Sequence, residues 1–128
     1  MRPEAQAWWK LSQDDLMTAD VNLCPDRYYA CAFFCQQSVE KALKAVWMER
    51  KRQHAPKTHN LFELADDLGI AEDFDTALRR LNPEYVATRY PDAANGDPVE
   101  NYNREIAGEL LGFAQEIQAW CKSQLDEN

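Results

Sequence analysis

The residues of this chain that could do chemistry are few and clustered. It has two histidines, His54 and His59, and six basic side chains between Lys41 and Lys57: Lys41, Lys44, Arg50, Lys51, Arg52 and Lys57. The only acid in that interval is Glu49. Imidazole titrates near neutral pH and can act as base or acid, and a guanidinium can neutralise charge on a phosphate through paired N–H donors. His59, with Arg52, Lys41 and Lys44, therefore carries the side chains that metal-independent RNA cleavage would need. A simpler role is open to His59 as well: at the start of a helix it would fix the preceding loop by packing or hydrogen bonding. A second cluster is Arg89-Tyr90-Pro91-Asp92. Arg89 could hold a phosphate and Tyr90 could stack on a base, or Arg89 and Asp92 could pair across a turn set by Pro91.

The rest of the composition narrows the setting. The net charge is −8 over 128 residues, so the chain as a whole is a poor general nucleic-acid binder, and DNA is not an expected partner. The basic cluster can still hold one phosphate or a short strand. An equally ordinary reading makes it the solvated C-terminal end of a helix, where cations are favoured. No apolar run approaches a membrane span, and the N-terminus lacks the pattern of a signal peptide, so a cytoplasmic location is expected. The four cysteines have neither metal-site nor disulfide spacing, and buried free thiols are expected; no metal and no cofactor are implied.

These residues must be positioned by helices, because the chain shows no β-type alternation. A single domain over residues 1–128 is expected, an all-α, up-and-down bundle of four to five helices. The first covers roughly Glu4 to Leu23, with Trp8, Leu11, Leu16, Ala19 and Leu23 inward. Cys24-Pro25-Asp26 breaks it, and Asp26 would cap a second helix from Arg27 to about Lys51. On that helix Tyr28, Ala32, Cys35, Val39, Ala42, Leu43 and Val46 form one stripe. Phe33, Phe34, Gln37, Lys41, Lys44 and Met48 occupy the other side, where a surface helix should be polar. A third helix would be capped by Thr58 and stopped by Gly69. A fourth begins near Glu72 and passes or restarts at Pro83. Residues 89–98 read as a loop. Asp97, Pro98 and Glu100 match the capping box of a last helix, whose inner face is Ile106, Leu110, Phe113, Ile117, Trp120 or Cys121, and Leu125.

Three ordered motifs on these helices carry a resemblance. Ala32, Phe34 (one place from the pattern's phenylalanine), Gln36, Gln37, Glu40, Lys41, Leu43, Lys44 and Ala45 supply A-x-F-x-x-Q-Q-x-x-E-K-x-L-K-A. Thr58, His59, Leu61 and Leu64 supply T-H-x-L-x-x-L, and Arg89 to Asp92 supply R-Y-P-D. The chain resembles HEPN domains (higher eukaryotes and prokaryotes nucleotide-binding) from about Trp8 to Leu125. The resemblance implies a helical bundle that forms a homodimer and acts beside a small nucleotidyltransferase partner, as in toxin–antitoxin pairs. It implies a binding and interaction module for nucleotide or short RNA, with Gln37, Lys41, Lys44, His59, Arg89 and Tyr90 as ligand-binding candidates.

Some members of the family are metal-independent endoribonucleases with an Arg-x(4–6)-His motif in the fourth-helix region. Here that region, "RRLNPEYVATRYPD", contains no histidine. Arg52 and His59 have the spacing, but they lie between the second and third helices. The alternative expectation is thus a ribonuclease with a displaced site around Arg52 and His59, and without it the chain is not catalytic on its own.

Overall fold

The computed structural model describes residues 1–94 and 96–125. Among the described residues seven helices run in order: α1 (Pro3–Val21), α2 (Tyr28–Lys51), α3 (Leu61–Leu68), α4 (Asp75–Leu81), α5 (Glu84–Ala87), α6 (Pro91–Ala94) and α7 (Arg104–Leu125). No strand occurs among the described residues. Three long helices, α1, α2 and α7, pack together, and the shorter α3, α4 and α5 lie against α2 or α7. This is the expected all-α bundle.

Local sequence explains the helix ends. Pro3 opens α1, where its missing N–H costs nothing. Asn22 closes it, and its side chain donates to the Thr18 carbonyl. Asp26 does not cap α2: its φ of 63° puts it in the left-handed region, which Asp tolerates better than most residues, and Arg27 takes the N-cap position without a side-chain bond. Arg52 ends α2, also left-handed at φ 57°. α3 is capped by Asn60, whose Oδ1 accepts from Phe62 N at 3.0 Å; Thr58 sits two residues earlier, its Oγ1 accepting from Asn60 N. Gly69, at φ 77°, is the left-handed residue that stops α3.

The capping box expected at Asp97 forms only a turn. Asp97 Oδ1 accepts from Val99 N, and the true start of α7 is Asn103, whose Oδ1 accepts from Ile106 N at 2.8 Å. Proline at 98 suits a first helical turn, but it suits an isolated turn equally.

The core is built around α2. Ala32, Cys35, Val39, Ala42, Leu43 and Val46 are buried, facing Leu110, Ala114, Ile117 and Cys121 of α7 and Leu61, Leu64 and Ala65 of α3. In α1 the inner face is Ala5, Trp9, Ser12 and Ala19, while Leu11 points outward. Ser12 takes the inner place because it is hydrogen-bonded there. Its Oγ donates to the Ser38 carbonyl at 2.9 Å, and Gln118 Nε2 of α7 donates to both serine hydroxyls. A buried hydroxyl with such partners costs little, whereas an unpaired one is expensive.

The far side of α2 is covered within the chain. Lys41 pairs with Asp15 of α1. The Lys44 ammonium lies 5.3 Å from the ring centre of Trp8 on α1. Phe33 meets Phe34 edge-on and lies 6.5 Å from the Tyr85 ring of α5. Phe33 thus has an aromatic neighbour in α5 as well as in α2. No helix among the described residues is long and apolar enough to cross a membrane.

Candidate functional site

The site is organised by one buried carboxylate. Glu40 projects from the middle of α2, one turn after Gln36 and one turn before Lys44. Its Oε2 accepts from Lys44 Nζ at 3.0 Å, and its Oε1 lies 3.0 Å from His59 Nδ1. Gln36 Nε2 donates to Oε1 and to the His59 carbonyl, so it fixes both the acid and the loop that carries His59. Gln37 Nε2 donates in turn to Gln36 Oε1 at 2.7 Å. The Glu40 and Lys44 side chains keep only 4% and 7% of their exposure. A pair so buried must satisfy itself internally, since the desolvation of each ion rivals their attraction.

His59 differs from these partners in being open to solvent. Its side chain is 54% exposed. A carboxylate that already accepts from Lys44 can only accept from the imidazole, so Nδ1 carries the hydrogen and Nε2 is left facing away from Glu40. The imidazole stacks on Tyr85, ring centres 3.8 Å apart and planes at 14°. Tyr85 also holds Arg89, whose guanidinium carbon lies 4.8 Å from the phenol ring centre. Arg89 reaches the Phe33 ring at 5.8 Å and the Tyr90 ring at 5.4 Å. A guanidinium against several aromatic faces is oriented without losing its charge.

An imidazole and a guanidinium thus meet at a single tyrosine, with a buried glutamate behind the imidazole. Together they can bind an anion, stack a planar ring, and give or take a proton at Nε2. Among the described residues no group of three or more His, Cys, Asp or Glu side chains is placed to hold a metal ion.

The other candidates fall in different places. Lys41 and Lys44 are engaged by Asp15 and Glu40, and Gln37 is half-buried. Tyr90 is 46% exposed at the edge of the Arg89 cluster. Arg89 turns to rings, and no ion pair joins it to Asp92 among the described residues. Arg52 caps α2, its exposed side chain making no hydrogen bond or ring contact with His59. Arg79 and Arg80 pair with Asp75 and Glu109. Sequence reasoning passed over Glu40, Tyr85 and Phe33 as site residues. The signal for two of them was helical spacing: Glu40 stands four residues before Lys44, and Tyr85 four before Arg89.

A profile of the HEPN domain matches residues 5–124. The chain belongs to the HEPN domain family. It is 29% identical over 137 aligned residues to a Methanocaldococcus jannaschii protein named "Putative toxin MJ1304", covering 96% of this chain and 89% of that one. It is similar in structure to TT1696 from Thermus thermophilus, with a TM-score of 0.85 and 30% identity over 96% of this chain and 99% of the other.

Proposed function

We propose that this protein is the HEPN member of a toxin–antitoxin-type pair, a cytoplasmic homodimer that binds nucleotide or a short RNA strand and acts with a small nucleotidyltransferase partner. The observation that carries the binding role is the His59–Tyr85–Arg89 stack. Arg89 takes phosphate, the exposed Tyr90 offers a ring face to a base, Tyr85 holds Arg89 and His59 in place, and His59 reads a neighbouring oxygen through Nε2. Similarity to a protein bearing the name of a toxin supports the pairing. The test is a titration of the purified chain with mononucleotides and short single-stranded RNA, beside Arg89→Ala and Tyr85→Ala. Saturable binding lost in both variants supports the reading, and binding indifferent to both removes it. Light scattering on the same samples tests the homodimer.

A second reading is favoured by the Glu40–His59 contact. A carboxylate that fixes the tautomer of an exposed imidazole, with a guanidinium beside it, is an arrangement suited to metal-independent RNA cleavage. In this reading the arginine that serves His59 is Arg89 rather than Arg52. Cleavage in EDTA that is lost in His59→Ala and Arg89→Ala but kept in Arg52→Ala would establish it.

A further inference from the structure

We infer that the chain has a second ligand site, a cleft between α1 and the α2–α3 connection that takes a small organic anion with a flat or apolar body, such as an aryl phosphate, and that reaches His59 through Glu40. The cleft measures about 390 Å³, within the range of small-molecule sites. Its walls are of two kinds. Trp8, Met48 and Pro56 supply apolar surface, and Lys44, His54 and Lys57 supply nitrogen donors. Among the described residues no acidic one lines it.

Lys44 gives the cleft its direction. An ammonium has three N–H donors. Among the described residues one goes to Glu40, and no hydrogen bond takes the other two. The Trp8 ring lies 5.3 Å from the ammonium, and both residues line the cleft. His54 and Lys57, both exposed, make no side-chain hydrogen bond or ion pair with a described residue. An anionic head placed among Lys44, His54 and Lys57 would complete the ammonium's bonds, while its body lay on Trp8 and Met48. The site is separate from the Tyr85–Arg89 cluster, on the other side of Glu40, and does not depend on the function proposed there. An anion drawing Lys44 toward the cleft loosens its hold on Glu40, which then interacts more strongly with His59.

The chain has only two histidines, so isotope-labelled protein yields two imidazole signals that report the two sites separately. Phenyl phosphate, inorganic phosphate and phenol are titrated into the wild type, Lys57→Glu and Arg89→Ala. The expected result is saturable movement of the His54 signals with phenyl phosphate, accompanied by His59. Inorganic phosphate binds about tenfold more weakly and phenol weaker still. Lys57→Glu, an exposed change that leaves the fold intact, weakens binding by about tenfold or more, and Arg89→Ala alters it by less than about twofold. The inference is overturned by the absence of a saturable His54 response, by phenol matching phenyl phosphate, by unchanged affinity in Lys57→Glu, or by loss in Arg89→Ala. A His54 response with a silent His59 overturns the link through Glu40.

Discussion

Glu40 and His59 meet through Oε1 and Nδ1 at 3.0 Å, although they are nineteen residues apart and only one of them is buried. The contact joins the interior of the bundle to its surface. Behind it lies the Glu40–Lys44 pair, in front of it the stack on Tyr85. Glu40→Gln strands the Lys44 ammonium in the interior and is expected to cost about 3–5 kcal/mol. The double variant Glu40→Gln/Lys44→Met, with no buried charge left, should recover most of that loss. Urea denaturation of the singles and the double measures both. A double variant as unstable as the Glu40 single would show that the pair contributes more than mutual neutralisation.

Arg89 is exposed, and among the described residues its guanidinium is held by rings, so its removal separates binding from folding. Arg89→Ala is expected to change stability by less than about 1 kcal/mol, since each exposed cation–ring contact contributes only about 0.5–1 kcal/mol. The same change should weaken binding of a mononucleotide by about tenfold, the worth of one lost phosphate contact. Calorimetric titration beside a thermal melt reads the two quantities. Equal loss in both would make Arg89 a structural residue.

Glu84 gives the fold a pH dependence of its own. Burial pushes its carboxyl above the usual carboxylate range, against the opposing pull of the Tyr102 hydroxyl and Arg80. The folded chain then keeps this proton at pH values where the unfolded chain has released it. Stability from this group is complete at low pH and is lost as pH rises from the ordinary carboxylate value through the raised one. Glu84→Gln keeps an acceptor for Tyr102 and has no proton to lose. Its stability relative to wild type should therefore grow between acid and neutral pH, by less than about 1 kcal/mol. Urea midpoints at several pH values check the sign, and an advantage that shrinks toward neutrality would contradict it.

How far the sequence discloses this arrangement depends on the kind of contact. The inner stripe of α2 and of α7 follows from spacing alone, because burial there is a property of each helix's own periodicity. Gly69 is legible for the same reason, since its left-handed conformation is a local demand. The caps expected at Asp26 and Thr58 lie within two residues of Arg27 and Asn60, which take the position instead, whereas Asp97 caps a separate turn six residues before Asn103. The site is less legible still. His59 comes from the segment before α3 and Tyr85 and Arg89 from α5 and the turn after it, and the stack exists only because α3 and α5 both dock on α2 near Glu40 and Phe33. Leu11 shows the converse: periodicity placed it inward, but the hydroxyl network of Ser12, Ser38 and Gln118 turns α1 the other way.

The four thiols offer a test of the packing that needs no ligand. Cys31, Cys35 and Cys121 are buried in the α2–α7 core, and Cys24, in the α1–α2 connection, is half-exposed. Hydrogen bonding to Cys31 and burial both push the Cys35 thiol up, and burial does the same to Cys121. Cys31 moves the other way, held down by its hydrogen bond with Cys35, but it is no more accessible to reagent. Reaction needs a thiolate that the reagent can reach, and only Cys24 meets the second condition. A disulfide-exchange reagent at mildly alkaline pH should therefore label one equivalent quickly in the native protein and three more at the rate of global opening. Adding urea should merge the phases as the bundle unfolds. Rapid labelling of Cys31 in the native state would mean that α2 and α7 part locally, and that the core around Glu40 opens on a timescale on which ligands could enter.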